Sequence, residues 1–274
     1  MKNDEVVKSI SEIGIDVTET AIATGVGLAM AGPAGAIGGA FVGSLCAQTL
    51  KQLRDEFISR GLSKKEHKRV SMVLDQAQNL IAQKLEKGQK VREDDFFSQD
   101  GANTSSAEEL LEATLIAAQR EYEERKLSYL AKLYANIGFD ASISRPIANY
   151  LIKLSSEITY RQIIIIQMLG FAQKISNSLE IRENRTEGTV HGLENVGIAT
   201  EVFDLYRKGI IFSKYIILDV AAVNPRNLEL GGYGALLYNL MECDKLSEGD
   251  ETVAVMKFLA GKEHVSVIRN GDSF

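Results

Sequence analysis

"TYRQIIIIQMLGFAQKI", Thr159–Ile175, is the stretch on which the fold class turns. Four consecutive isoleucines, Ile163–Ile166, suit a buried strand. The flanks carry Gln162, Gln167 and Met168, which favour a helix, and the spacing predicts one that is apolar nearly all round and therefore buried. With that choice the chain becomes mostly α. Only three prolines occur in 274 residues. Long helices are unhindered, and an all-β fold with many turns is excluded.

Upstream, Ser144 followed by Pro146 marks an N-cap with proline in the first turn, and predicts a helix from about residue 145 to 158. Before it, Ser105 or Ser106 caps a long helix predicted to run to about Phe139. Leu111, Leu115, Ala118, Tyr122, Leu130, Leu133 and Ile137 form its buried stripe, and "REYEERK" (120–126) its solvated face. Earlier still, "VLDQAQNLIAQKLEKG" (73–88) repeats apolar residues at helical spacing and stops at Gly88. Between these helices "DDFFSQDGANTSSAEE" (94–109) has the Ser, Asn, Asp and Gly content of a loop.

Downstream, "GIATEVFDLYRKGII" (197–211) predicts a helix ending at Gly209. "FSKYIILDV" (212–220) fits a short strand or another helix. "NLELGGYGALLYNLMECDKL" (227–246) predicts a brief extended piece, a glycine turn and a helix through about Leu240. The tail "EHVSVIRNGDSF" (263–274) alternates weakly, as an edge strand does. Helices with short strands over about Thr159–Gly261 resemble a degenerate winged-helix module. The stretch that would serve as its recognition helix is nearly neutral and exposes Glu201 and Asp204, so this module suits protein recognition or dimerisation rather than DNA.

The formal charge of −6 argues against nucleic acid as the partner of the whole protein, since phosphate neutralisation needs a surplus of Lys and Arg on one face. Two cysteines, Cys46 and Cys243, make no disulfide framework; both read as small buried hydrophobes in a reducing compartment. The acidic lead-in "MKNDEVVKSISEIGIDVTET" predicts a helix over residues 3–20 with Val6, Ile10, Ile13 and Val17 on one face. It lacks the form of a secretory signal, and a cytoplasmic protein is expected. His67, His191 and His264 have no metal-ligand spacing and read as surface or loop residues. Glu93, Asp94 and Asp95 read as a charged loop end. No cofactor, metal or catalytic group is expected, and the protein is read as not an enzyme.

One stretch stands apart. "AGPAGAIGGAFVGSLCA", Ala31–Ala47, lies within an uncharged segment, Thr20–Leu50. Gly35, Gly39 and Gly43 sit four apart, and Ala31 and Ala47 extend the series. On a helix these five small residues make one groove that a second helix can approach closely. Glycines at this density also suggest a phosphate loop, but no Gly-Lys-Ser/Thr follows and no clear strand precedes. As one helix the segment is about 46 Å long, enough for a bilayer core of about 30 Å. Broken at Gly32-Pro33 into a hairpin, each arm is too short. Pro33 kinks a single helix, which membranes tolerate. From Lys51 to Arg69 seven basic residues face three acidic ones, and the positive-inside rule then keeps the bulk of the protein in the cytosol. The Gly and Ala content makes the segment a weak constitutive anchor and a better conditional one.

The spacing of Ala31, Gly35, Gly39, Gly43 and Ala47 resembles the glycine-zipper segments of membrane-inserting bacterial effectors and pore-forming proteins. That resemblance implies a membrane-active, homo-oligomerising effector that permeabilises the inner membrane. The general layout resembles that of phage-defence or toxin effectors. On this reading residues 1–97 form an N-terminal helical unit with the glycine-rich segment, and 107–274 a helical body with the winged-helix-like module, about 159–261. The expected partners are a second copy, the lipid bilayer and a protein trigger bound by the C-terminal body. The rival expectation is a soluble regulatory or scaffold protein that uses the glycine groove to oligomerise.

Overall fold

The structure is a computed structural model, and it describes residues 62–98, 105–174 and 192–260. About 70% of these residues are helical, and the one sheet among them has two strands. The fold is therefore mostly α. The chain divides between Ser156 and Glu157 into two compact units.

In the first unit, α1 (Lys64–Glu86) opens with a capping box. The Ser63 hydroxyl accepts from the Glu66 N–H, and the Glu66 carboxylate accepts from the Ser63 N–H at 2.8 Å. The helix ends where the spacing places it. Gly88 takes φ +77°, its N–H donates to the Leu85 carbonyl, and the Gln89 N–H donates to that of Lys84. These two bonds close a Schellman motif. Helix α2 (Ser106–Arg120) opens with a second box, formed by Ser105 and Glu108 and fully buried. Helices α3 (Leu127–Ile137) and α4 (Arg145–Glu157) follow. The apolar stripe of α1, with Val73, Leu74, Ala77 and Ile81 buried, packs against α2 and α3. The unit thus draws helices from both sides of residues 98–106.

The long helix expected from Ser106 to Phe139 is two helices. The backbone leaves α2 at Glu121, which is extended, and passes a 3₁₀ turn at Glu124–Lys126 before α3 begins. No Gly or Pro marks the break. Polar bonds hold it instead. Arg69 of α1 donates to the Gln119 carbonyl at 3.0 Å, which serves the open end of α2. The Glu121 carboxylate accepts from the Glu123 N–H at 2.8 Å, and Lys126 pairs with Glu121. Both members of this ion pair are buried, so 120–126 is not simply a solvated face. Tyr122, expected in the buried stripe, is 79% exposed because the break turns it outward.

In the second unit, α5 (Tyr160–Lys174) runs through the core. Every residue from Gln162 to Gly170 is buried. Thr159 and Gln162 form its capping box, with N–H to side-chain distances of 2.8 and 3.1 Å. Helix α6 (Leu193–Arg207) ends in another Schellman motif, where Gly209 takes φ +68° and Ile210 donates back to Leu205. Strand β1 (Ile211–Ser213) pairs antiparallel with β2 (Leu228–Leu230), Ile211 opposite Leu230 and Phe212 opposite Glu229. Helices α7 (Gly232–Leu240) and α8 (Asp250–Ala260) complete the unit and pack on α5.

Two glycines set this packing. A Cβ on Gly170 would lie 2.2 Å from the Tyr238 ring, so the bare backbone of α5 is what lets α7 lie against it. A Cβ on Gly234 would lie 2.0 Å from the Ile210 carbonyl oxygen, so α7 rests directly on the backbone leading into β1.

Candidate functional site

The residues singled out for membrane insertion and oligomerisation, Ala31, Pro33, Gly35, Gly39, Gly43 and Ala47, lie outside the described residues, as do Cys46, His191, His264, the helix over 3–20 and the tail 263–274. Cys243 is buried beside the end of α7. His67 is half-buried on α1.

"REDDF" (92–96) is more than a charged loop end. Arg92 is buried and fully engaged. Its Nε donates to Asp94 at 2.7 Å, its Nη1 donates to the Ile143 carbonyl at 2.9 Å, and its guanidinium lies 4.2 Å from the centre of the Phe96 ring. The bond from Arg92 holds the Asp94 carboxyl below the usual aspartate range. Phe96, expected in a loop, is therefore a core residue, stacked edge-on against Phe97. The cluster pins the 92–97 turn to the end of α3 and to Ile143.

The densest polar constellation of the second unit lies between α5 and α6. Arg161 Nε donates to Glu201 at 2.6 Å. Gln162 Nε2 donates to Asp204 at 2.9 Å and to the Glu201 carbonyl at 3.2 Å. Lys208 donates to Asp204 at 2.7 Å, and the Thr159 hydroxyl donates to Glu201 at 3.2 Å. Burial acts to raise the Asp204 carboxyl, but the bonds from Lys208 and Gln162 and the charges of Lys208 and Arg207 outweigh it and leave it lowered. Glu201 and Asp204 are thus partly buried partners of α5 and not an exposed face, which corrects the sequence-based expectation. Arg161 and Lys208 are each paired with a carboxylate. The arrangement latches two helices together.

Among the described residues no group of His, Cys, Asp and Glu is placed to hold a metal ion. No described helix is long and apolar enough to cross a membrane. Helix α5, which carries the isoleucine run, spans only about 22 Å over its 15 residues. Comparison with known proteins returns no match among family models, curated proteins or solved structures.

The sequence reading missed one surface. Phe212, Tyr215, Ile216 and Leu218 are all exposed, within seven residues of β1 and the connection that follows it. The signal was present in "YIIL" (215–218), an uncharged apolar run with no helical or alternating partner.

Proposed function

We propose that the protein is a membrane-active, oligomerising effector: Thr20–Leu50 inserts as a glycine-zipper helix and permeabilises the inner membrane, while the helical body answers a trigger. The observation that carries this reading is the register of Ala31, Gly35, Gly39, Gly43 and Ala47 inside an uncharged segment of spanning length. Insertion of Thr20–Leu50 is conditional, and the bulk of the protein stays on the cytoplasmic side. On this reading the C-terminal module, about 159–261, recognises a protein or a second copy. The latch between α5 and α6 fits that role better than catalysis, because its charged groups are spent on holding the helices.

The test is expression in a bacterial cell carrying a dye for inner-membrane potential. Wild type depolarises the membrane and stops growth. Gly39→Leu fills the groove, accumulates to the same level with the same helicity, and leaves the potential intact. Equal depolarisation by both proteins refutes the zipper. A Gly39→Leu chain that unfolds or aggregates without lipid favours the soluble scaffold instead.

A further inference from the structure

Strands β1 and β2 are joined by fourteen residues, 214–227, which include two 3₁₀ turns. Ile217 and Val223 are buried beneath them. The Lys214 N–H donates to the Asn227 carbonyl at 2.9 Å, and Asp219 and Asn224 each cap a 3₁₀ turn with their side chains. On this fixed frame Tyr215, Ile216 and Leu218 stand 63%, 77% and 82% exposed, with Phe212 half-exposed on β1. Ala221 and Ala222 extend the same exposed run. Scattered single apolar residues on a surface are ordinary; three large ones held outward by one buried isoleucine are not.

We propose that this connection is an interfacial lipid anchor: Tyr215, Ile216 and Leu218 enter the headgroup–acyl boundary of a bilayer. Three features favour lipid over a protein partner. From Tyr215 to Leu218 the side chains offer one hydroxyl and no charge, so they supply apolar area but almost none of the hydrogen bonds that fix register in a protein interface. Tyr215 is of the type that settles at the level of lipid headgroups. Lys214 lies 5.8 Å from the centre of the Tyr215 ring, and its long stem lets the ammonium stay at the headgroups while its neighbours go deeper.

The charges nearby balance: Lys214 and Arg226 against Asp219 and Glu229. Attachment therefore rests on apolar burial and not on anionic lipid. The inference concerns a surface outside the glycine segment and stands or falls separately from pore formation.

The chain contains no tryptophan, so Tyr215→Trp creates a single fluorescent reporter. With the full-length protein and phosphatidylcholine vesicles, its emission shifts to the blue and is quenched by brominated acyl chains. Flotation then measures binding. Ile216→Asn with Leu218→Asn lowers partitioning about tenfold or more and keeps the wild-type melting curve. Leu193→Asn, which changes an equally exposed apolar residue elsewhere, leaves it unaltered. Adding phosphatidylglycerol or salt changes it little. Gly39→Leu keeps this binding even where it abolishes leakage.

Four results overturn the proposal. The wild type does not float with vesicles. The reporter keeps its aqueous emission on vesicles that bind the protein. The double variant binds as wild type does. The blue shift appears without lipid and rises with protein concentration, which makes a second copy the occupant.

Discussion

The first unit turns its chain between α2 and α3 on a buried ion pair, whereas the second makes its tightest approaches through glycine. Glu121 and Lys126 hold an extended break where apolar spacing continues as if one helix ran on. Gly170 and Gly234 hold nothing; they are places where anything larger would not fit. One device depends on charges that must stay paired, the other on volume that must stay absent. The two devices fail differently, and substitution separates them.

The largest expected effect is in the ion pair. Lys126→Met leaves Glu121 buried without its cation and costs about 3–5 kcal/mol in chemical denaturation. Glu121→Leu added to it recovers most of that loss, because an apolar pair avoids the desolvation of both charges. If the double variant is no better than the single, the pair has a role beyond neutralising each member.

Next come the glycines. Gly234→Ala meets a backbone carbonyl that has little room to retreat, and Gly170→Ala meets an aromatic ring packed between helices. Each costs about 1–3 kcal/mol or somewhat more, Gly234→Ala the greater. A melt unchanged by either would mean that α7 sits further from β1 and α5 than described.

Smaller effects follow at the helix ends. Ser105→Ala removes the buried capping box of α2 and costs about 1 kcal/mol. Glu242 takes the left-handed φ of +52° after α7, in the place that Gly88 and Gly209 fill elsewhere. Glu242→Gly relieves that backbone and raises stability by up to about 1 kcal/mol, seen as a higher denaturation midpoint.

The smallest is a pH effect. The Arg145 hydrogen bond, with Asn149, lowers the Glu109 carboxyl despite partial burial. A carboxyl whose folded pKa lies below its unfolded one contributes stability above the ordinary carboxylate range and loses it as pH falls through the lowered value. The stability gap between wild type and Glu109→Gln is therefore present near neutrality and closes below about pH 4. A gap that persists in acid would assign the loss to packing.

Much of the fold was legible because its signals are local. Ser105, Ser144 with Pro146, Gly88 and Gly209 mark helix ends through bonds made within a few residues. The isoleucine run was resolved as α5 from its polar flanks. What stayed illegible depends on partners distant in sequence. Nothing near Gln119 announces that Arg69 will meet the end of α2. Nothing in "REDDF" says that the Ile143 carbonyl waits for Arg92. Helix α8 received no assignment, although "DETVAVMKFLA" (250–260) carries an acidic first turn and apolar spacing. Of the candidate site, the small-residue register is a property of sequence alone, and the exposed connection after β1 became visible only once Ile217 was seen to be buried beside it.

The central claim is that Thr20–Leu50 acts on membranes through its glycine face. The most direct test is dye release from anionic-lipid vesicles, with wild type beside Gly39→Leu, both verified as folded by their helicity and melting. The account predicts release by the wild type and none by Gly39→Leu. Release by both in equal measure, or by neither while the wild type is bound to the vesicles, would contradict it.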